Sequence, residues 1–172
     1  GGARFALTPP TNPKPFAAAL PLAKFLVDDL LPRVRRETPA LSKVESSGID
    51  GVSLGGRASL LVGIERPTAF GVVAGLQAAF DSANAPELAR RAADARKANP
   101  KLLFRLLTSE GDYFLNANRA ISRAFSAAQI PHVLTVVPGP HDYEFNRGPG
   151  AYEMLFFHDR ALRADVGLDP VR

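Results

Sequence analysis

The sequence predicts an α/β protein whose parallel sheet is covered by helices on both faces. Three observations predict it. Strand-like apolar runs alternate with helical patterns from about residue 18 to residue 162, as expected of repeated strand–helix units. The stretch Gly51-Val52-Ser53-Leu54-Gly55 reads G-x-S-x-G and leads into a small-residue helix start, which fits a sharp strand-to-helix turn. At 172 residues and 46% hydrophobic, the chain is long enough for one domain, residues 1–172, that buries about 70% of its unfolded surface.

The elements follow in order. Residues 1–16 are rich in Pro and Gly, and Pro9, Pro10, Pro13 and Pro15 oppose regular structure. Leu22, Phe25, Leu26, Leu30 and Val34 recur at near-helical spacing and predict an amphipathic helix over 18–36, with Pro32 placed to kink or end it. A polar connection over 39–48 precedes a short strand, 49–52. A helix over 55–63 follows, burying Ala58, Leu60, Leu61 and Val62. Residues 69–76 read as a buried strand. Residues 86–98 read as a surface helix, with Pro86 in its first turn and Glu87 able to pair with Arg90 and Arg91. The next strand, 102–107, ends before Ser109 and Asp112. A helix over 113–128 turns Leu115, Ile121 and Phe125 inward. A strand over 132–137 is closed by Pro138-Gly139-Pro140, and a last helix spans 149–162.

Composition excludes several functions. With no cysteine there is no disulfide, no thiol nucleophile and no thiolate metal site. The three histidines lack a metal-binding spacing, and no metal or cofactor is expected. A net charge of +4 with intermixed signs gives no nucleic-acid footprint, and Arg33, Arg35 and Arg36 read as a solvated helix end. No apolar run reaches membrane-spanning length.

A serine hydroxyl attacks a carbonyl only if a base takes its proton, and a carboxylate behind that base fixes its tautomer. In a parallel sheet, the loops after successive strands emerge at one edge. Ser53, Asp112 and His141 each follow a predicted strand, so this topology can bring nucleophile, acid and base together. The backbone N–H of Leu54 is the candidate oxyanion donor, at a helix start that favours developing negative charge. Gly51 and Gly55 are expected to give the turn room, and Gly55-Gly56 to let the helix approach closely. Ser46, Ser47, Ser59 and Ser109 lack the flanking glycines. Glu110 competes with Asp112, while Asp142 is too close to His141 to orient it from behind. His132 begins a strand and His158 lies in a helix, where packing roles are expected. Gln77, Phe114 and Tyr143 are the candidate substrate contacts. Phe114, Tyr143, Phe145 and Tyr152 fit a pocket lining or core packing equally, and Met154, Phe156 and Phe157 read as core.

Three segments carry a family resemblance: 49–57 (IDGVSLGGR), 108–114 (TSEGDYF) and 137–143 (VPGPHDY). Together they resemble the putative-esterase family of α/β-hydrolases, which includes enterochelin-esterase-like and S-formylglutathione-hydrolase-like enzymes. The resemblance implies a three-layer α/β-hydrolase fold, of which this chain is the C-terminal part of the sheet with its flanking helices. It implies Ser53 as nucleophile, Asp112 as acid and His141 as base, acting on a small-molecule ester. The family's early strands and oxyanion loop have no counterpart before residue 18, so a missing N-terminal segment or another chain is expected to complete the sheet. The polar lead-in over 43–48 also makes the nucleophile strand short. The expected reaction is ester hydrolysis through an acyl-enzyme. An acyltransferase of the same fold, or a catalytically silent interaction domain, are the alternatives.

Overall fold

In a computed structural model, residues 19–162 are described. The expectations for residues 1–16, and for the start of the first helix at residue 18, lie outside them. Four strands, β1 (Gly48–Ile49), β2 (Val72–Leu76), β3 (Leu103–Gly111) and β4 (His132–Pro140), form one sheet in the order β1-β2-β3-β4. Every neighbouring pair is parallel, with Val72 opposite Gly48 and Leu103, and Phe104 opposite His132.

Helices α3 (Leu54–Glu65), α4 (Ala85–Ala98) and α5 (Leu115–Ala127) are the three crossovers. Because the strand order never reverses, right-handed crossovers put all three on the same face. There Val73, Phe104 and Leu106 pack against Leu60, Leu88, Ile121 and Phe125 in the main core. Alternate strand residues point the other way, and Val72 and Ala74 meet Phe157 of α7 (Pro149–Leu162). These are the three layers predicted. A short helix that the sequence pattern missed, α6 (Tyr143–Arg147), packs Phe145 against Leu76 and Leu107. Its signal was Asp142, whose carboxylate caps it by accepting from Phe145 N–H at 2.8 Å.

Boundaries differ where local rules met tertiary context. α1 (Leu20–Lys24), a π-helical stretch Phe25–Leu30 and α2 (Leu31–Glu37) form one helical run through Pro32. Proline 32 supplies no N–H, and the chain widens ahead of it so that Leu31 N–H bonds Leu26 O five residues back. Leu22, Leu26, Leu30 and Val34 share one face of this run and line a groove with Ile49, Ala58 and Phe70. Ala19 and Ala23 are buried, whereas Leu22, Phe25, Leu30 and Val34 are exposed. β3 continues past Ser109, and β4 runs through both prolines, tolerable because β4 is an edge strand. β1 is only two residues long, but Val52 bridges Leu76 further along.

Candidate active site

The strand-to-helix turn at Ser53 is fixed by β2. Leu76 N–H bonds Gly51 O at 2.8 Å, Ser53 N–H bonds Leu76 O at 2.8 Å, and Ala79 N–H bonds Ser53 O at 3.0 Å. These bonds hold Ser53 at φ 55°, ψ −114°, a conformation that costs about 1–3 kcal/mol for a residue with a Cβ. The turn permits no side chain at Gly51, where a Cβ would lie 2.5 Å from the Gly55 carbonyl, nor at Gly56, where it would lie 2.8 Å from Gly51 O. Gly55 corrects the sequence expectation, since a Cβ there would meet nothing within 4 Å. The steric requirement falls on Gly51 and Gly56.

Ser53, Asp112 and His141 come together as expected from the topology. His141 Nε2 is 3.1 Å from Ser53 Oγ, and His141 Nδ1 is 2.6 Å from Asp112 Oδ1. A carboxylate at Nδ1 favours the tautomer that carries its proton there, leaving Nε2 as an acceptor facing the hydroxyl. Asp112 is buried and further fixed by Phe114 N–H at 2.9 Å and the Thr108 hydroxyl at 2.5 Å. Glu110, its sequence competitor, is exposed. Leu54 opens α3, so its N–H belongs to the helix turn whose donors have no intrahelical partner.

A cavity of about 710 Å³ opens over the serine. Ser53, His141, Phe80, Tyr113, Phe114 and Asn116 line it, with Asp81 and Ser82 also contributing. The Tyr113 and Phe114 rings lie 5.3 and 5.5 Å from the imidazole centroid. Of the two places open to it, Phe114 takes the pocket wall. Tyr143 is not among its lining residues; it is 74% exposed, and its ring carries the Arg147 guanidinium 5.6 Å from its centroid. Gln77 also departs from expectation, being fully buried with its amide turned to the ends of β3 and β4. Phe145 joins the core, and Tyr152 is exposed. Phe80, Tyr113 and Asn116 were missed. Their signal was position: like Ser53, they follow the carboxyl ends of strands. Among the described residues, no group of three or more His, Asp or Glu side chains could hold a metal ion.

The profile of a family described as "Putative esterase" matches residues 2–146. No curated protein matches the chain. Its fold is shared by a ferulic acid esterase, at 17% identity and TM-score 0.68, with 81% of this chain and 61% of that one covered. An S-formylglutathione hydrolase from Staphylococcus aureus matches at 14% identity and TM-score 0.65, covering 79% and 62%. A ferric enterobactin esterase from Salmonella typhimurium matches at 25% identity and TM-score 0.65, covering 86% and 38%. The chain spans about three fifths of the length of the first two structures.

Proposed function

The chain belongs to the α/β-hydrolase family described as "Putative esterase", and from that premise we propose that it cleaves a carboxylic ester through an acyl-enzyme on Ser53. The observation carrying this reading is the continuous relay from Ser53 Oγ to His141 Nε2 and from His141 Nδ1 to Asp112 Oδ1, at 3.1 and 2.6 Å.

In this reading, Ser53 Oγ attacks the ester carbonyl while His141 Nε2 takes its proton. Asp112 stays ionised and holds the imidazolium. The Leu54 N–H donates to the oxyanion as charge develops, at a helix start whose dipole favours it. His141 then gives the proton to the departing alcohol. In the second half, it takes a proton from water, which attacks the acyl carbon and releases Ser53. Phe80, Tyr113 and Phe114 offer apolar walls to the ester, and Asp81, Ser82 and Asn116 offer polar contacts at the same cavity.

Short p-nitrophenyl esters test this directly. Wild-type protein should release p-nitrophenol with a burst, and Ser53→Ala should lose both burst and turnover while keeping its circular dichroism spectrum. Turnover undiminished in Ser53→Ala, or absent from folded wild type across a panel of esters, would refute it.

A further inference from the structure

Gln77 has three features that a space-filling core residue does not need. It is fully buried although it is a polar residue in a loop. It is also one of three non-glycine residues with positive φ among those described, at 49°. That strained backbone is repaid by its hydrogen bonds: its N–H donates to Leu107 O at 2.6 Å, and its Nε2 donates to Ser109 Oγ at 2.7 Å and Pro140 O at 2.9 Å.

Those partners lie where the sheet is least able to hold itself. β4 carries Pro138 and Pro140, neither of which has an N–H to give the ladder. The β3–β4 register also slips between Ser109 and Gly111. Pro140 immediately precedes His141, and Ser109 O accepts the Asp112 N–H at 3.1 Å. Leu76, the residue before Gln77, receives the Ser53 N–H. One side chain therefore links the strand end that braces the nucleophile to the two that carry the acid and the base. The Ser109 hydroxyl, 3.2 Å from Pro140 O, closes the cluster.

We propose that Gln77 is a positioning residue for His141, its amide tying Pro140 O to Ser109 at the irregular end of the β3–β4 ladder and so fixing the imidazole between Ser53 and Asp112. This rests on the esterase reading for its kinetic consequence but not for its structural one. Gln77 does not touch the ester; its action is on the backbone before His141.

The test is Gln77→Met, which keeps the side-chain length and removes the amide. With a p-nitrophenyl ester, kcat should fall about 100-fold with KM within about twofold, because a displaced base slows chemistry without changing the pocket walls. The downfield proton resonance of the His141–Asp112 hydrogen bond should broaden or vanish. A folded Gln77→Met enzyme with wild-type kcat would overturn the proposal. If wild type turns over no ester, the esterase reading fails, and the proton resonance alone decides: its loss in Gln77→Met supports the positioning role and its persistence refutes it. If Gln77→Met does not fold, Ser109→Ala carries the test. That variant removes one acceptor of the amide and should lower kcat about tenfold; wild-type kcat in Ser109→Ala would then overturn the proposal.

Discussion

Two carboxylate–imidazole pairs flank the turn that carries Ser53, and only one of them meets a hydroxyl beneath an open cavity. Asp112 and His141 meet at 2.6 Å, and Asp50 and His158 meet at 3.0 Å. The difference lies on the far side of each imidazole. His141 Nε2 faces the Ser53 hydroxyl beneath an open cavity. The His158 ring instead packs against the backbone at Gly48, where an added Cβ would come within 2.7 Å of Nδ1. The carboxylates also differ in company. Asp50 takes the Gly51 N–H at 2.7 Å and lies 3.6 Å from Arg105, which is 1% exposed and stacks over Phe157. Burial pushes the Arg105 guanidinium below its ordinary pKa, while the Asp50 carboxylate favours its charge.

His132 supplies the complementary case, a hydroxyl without a carboxylate. Its Nδ1 donates to Ile130 O at 2.8 Å, so Nε2 accepts from the Ser122 hydroxyl at 2.8 Å. Both side chains are buried, and no substrate reaches them. A hydroxyl, an imidazole, a carboxylate and an opening meet together only at Ser53 among the described residues.

The sharpest way to break this contrast is to exchange the roles of the carboxylates. Asp112→Asn should lower kcat by about 10⁴-fold, since an amide stabilises the wrong tautomer and leaves the imidazolium unbalanced. Asp50→Asn should instead act on stability, lowering it by about 3 kcal/mol in urea unfolding, because the buried Arg105 loses its nearest carboxylate and keeps only the weaker attraction of Glu153. If Asp50→Asn abolished turnover in a fully stable protein, the two pairs would not be functionally distinct.

The next effect concerns the turn between them. Gly51→Ala should prevent the native turn and reduce soluble yield, as its Cβ would collide with backbone. Gly55→Ala should fold normally and gain about 0.5–1 kcal/mol from helix propensity. Equal destabilisation of the two variants would show that the motif's second glycine is needed for room after all. A smaller change is expected for His158→Gln. It should cost about 1 kcal/mol while leaving KM and kcat within about threefold, because Asp50 retains its Gly51 and Arg105 contacts.

The smallest effect lies on the remote surface of α4. Arg90 and Arg91 hold the Glu87 carboxyl at about 2, below its ordinary 4.5. A lowered pKa stabilises the fold above pH 4.5, and that contribution is lost as pH falls from 4.5 towards 2. The amplitude is small because the ion pairs stand in water and are screened. Thermal unfolding of wild type and Glu87→Gln should therefore converge over that window, with no change in the pH profile of turnover.

Much of this site was legible in the sequence because its topology is local in kind. Each triad candidate stands just beyond an apolar run, and parallel strands deliver such positions to one edge. The bounds of β4 were not legible, because Pro138 and Pro140 read as a stop until the strand is known to lie at the sheet edge. The inward face of the first helical run was hidden for a different reason. The near-helical spacing of Leu22, Leu26, Leu30 and Val34 marks the face that lines an apolar groove, whereas the buried positions are the small residues Ala19 and Ala23, which a hydrophobic pattern does not single out. From its place after a strand at the active edge Gln77 is expected to contact substrate, and only the folded chain reveals its amide donating to Ser109 Oγ and Pro140 O.

If Ser53 alone among the serines carries an activated hydroxyl, a fluorophosphonate probe followed by peptide mass spectrometry will single it out. One adduct is expected, on the peptide containing Ser53, lost in Ser53→Ala and slowed in Asp112→Asn. An adduct on Ser122 or another serine, or undiminished labelling of Ser53→Ala, would contradict this.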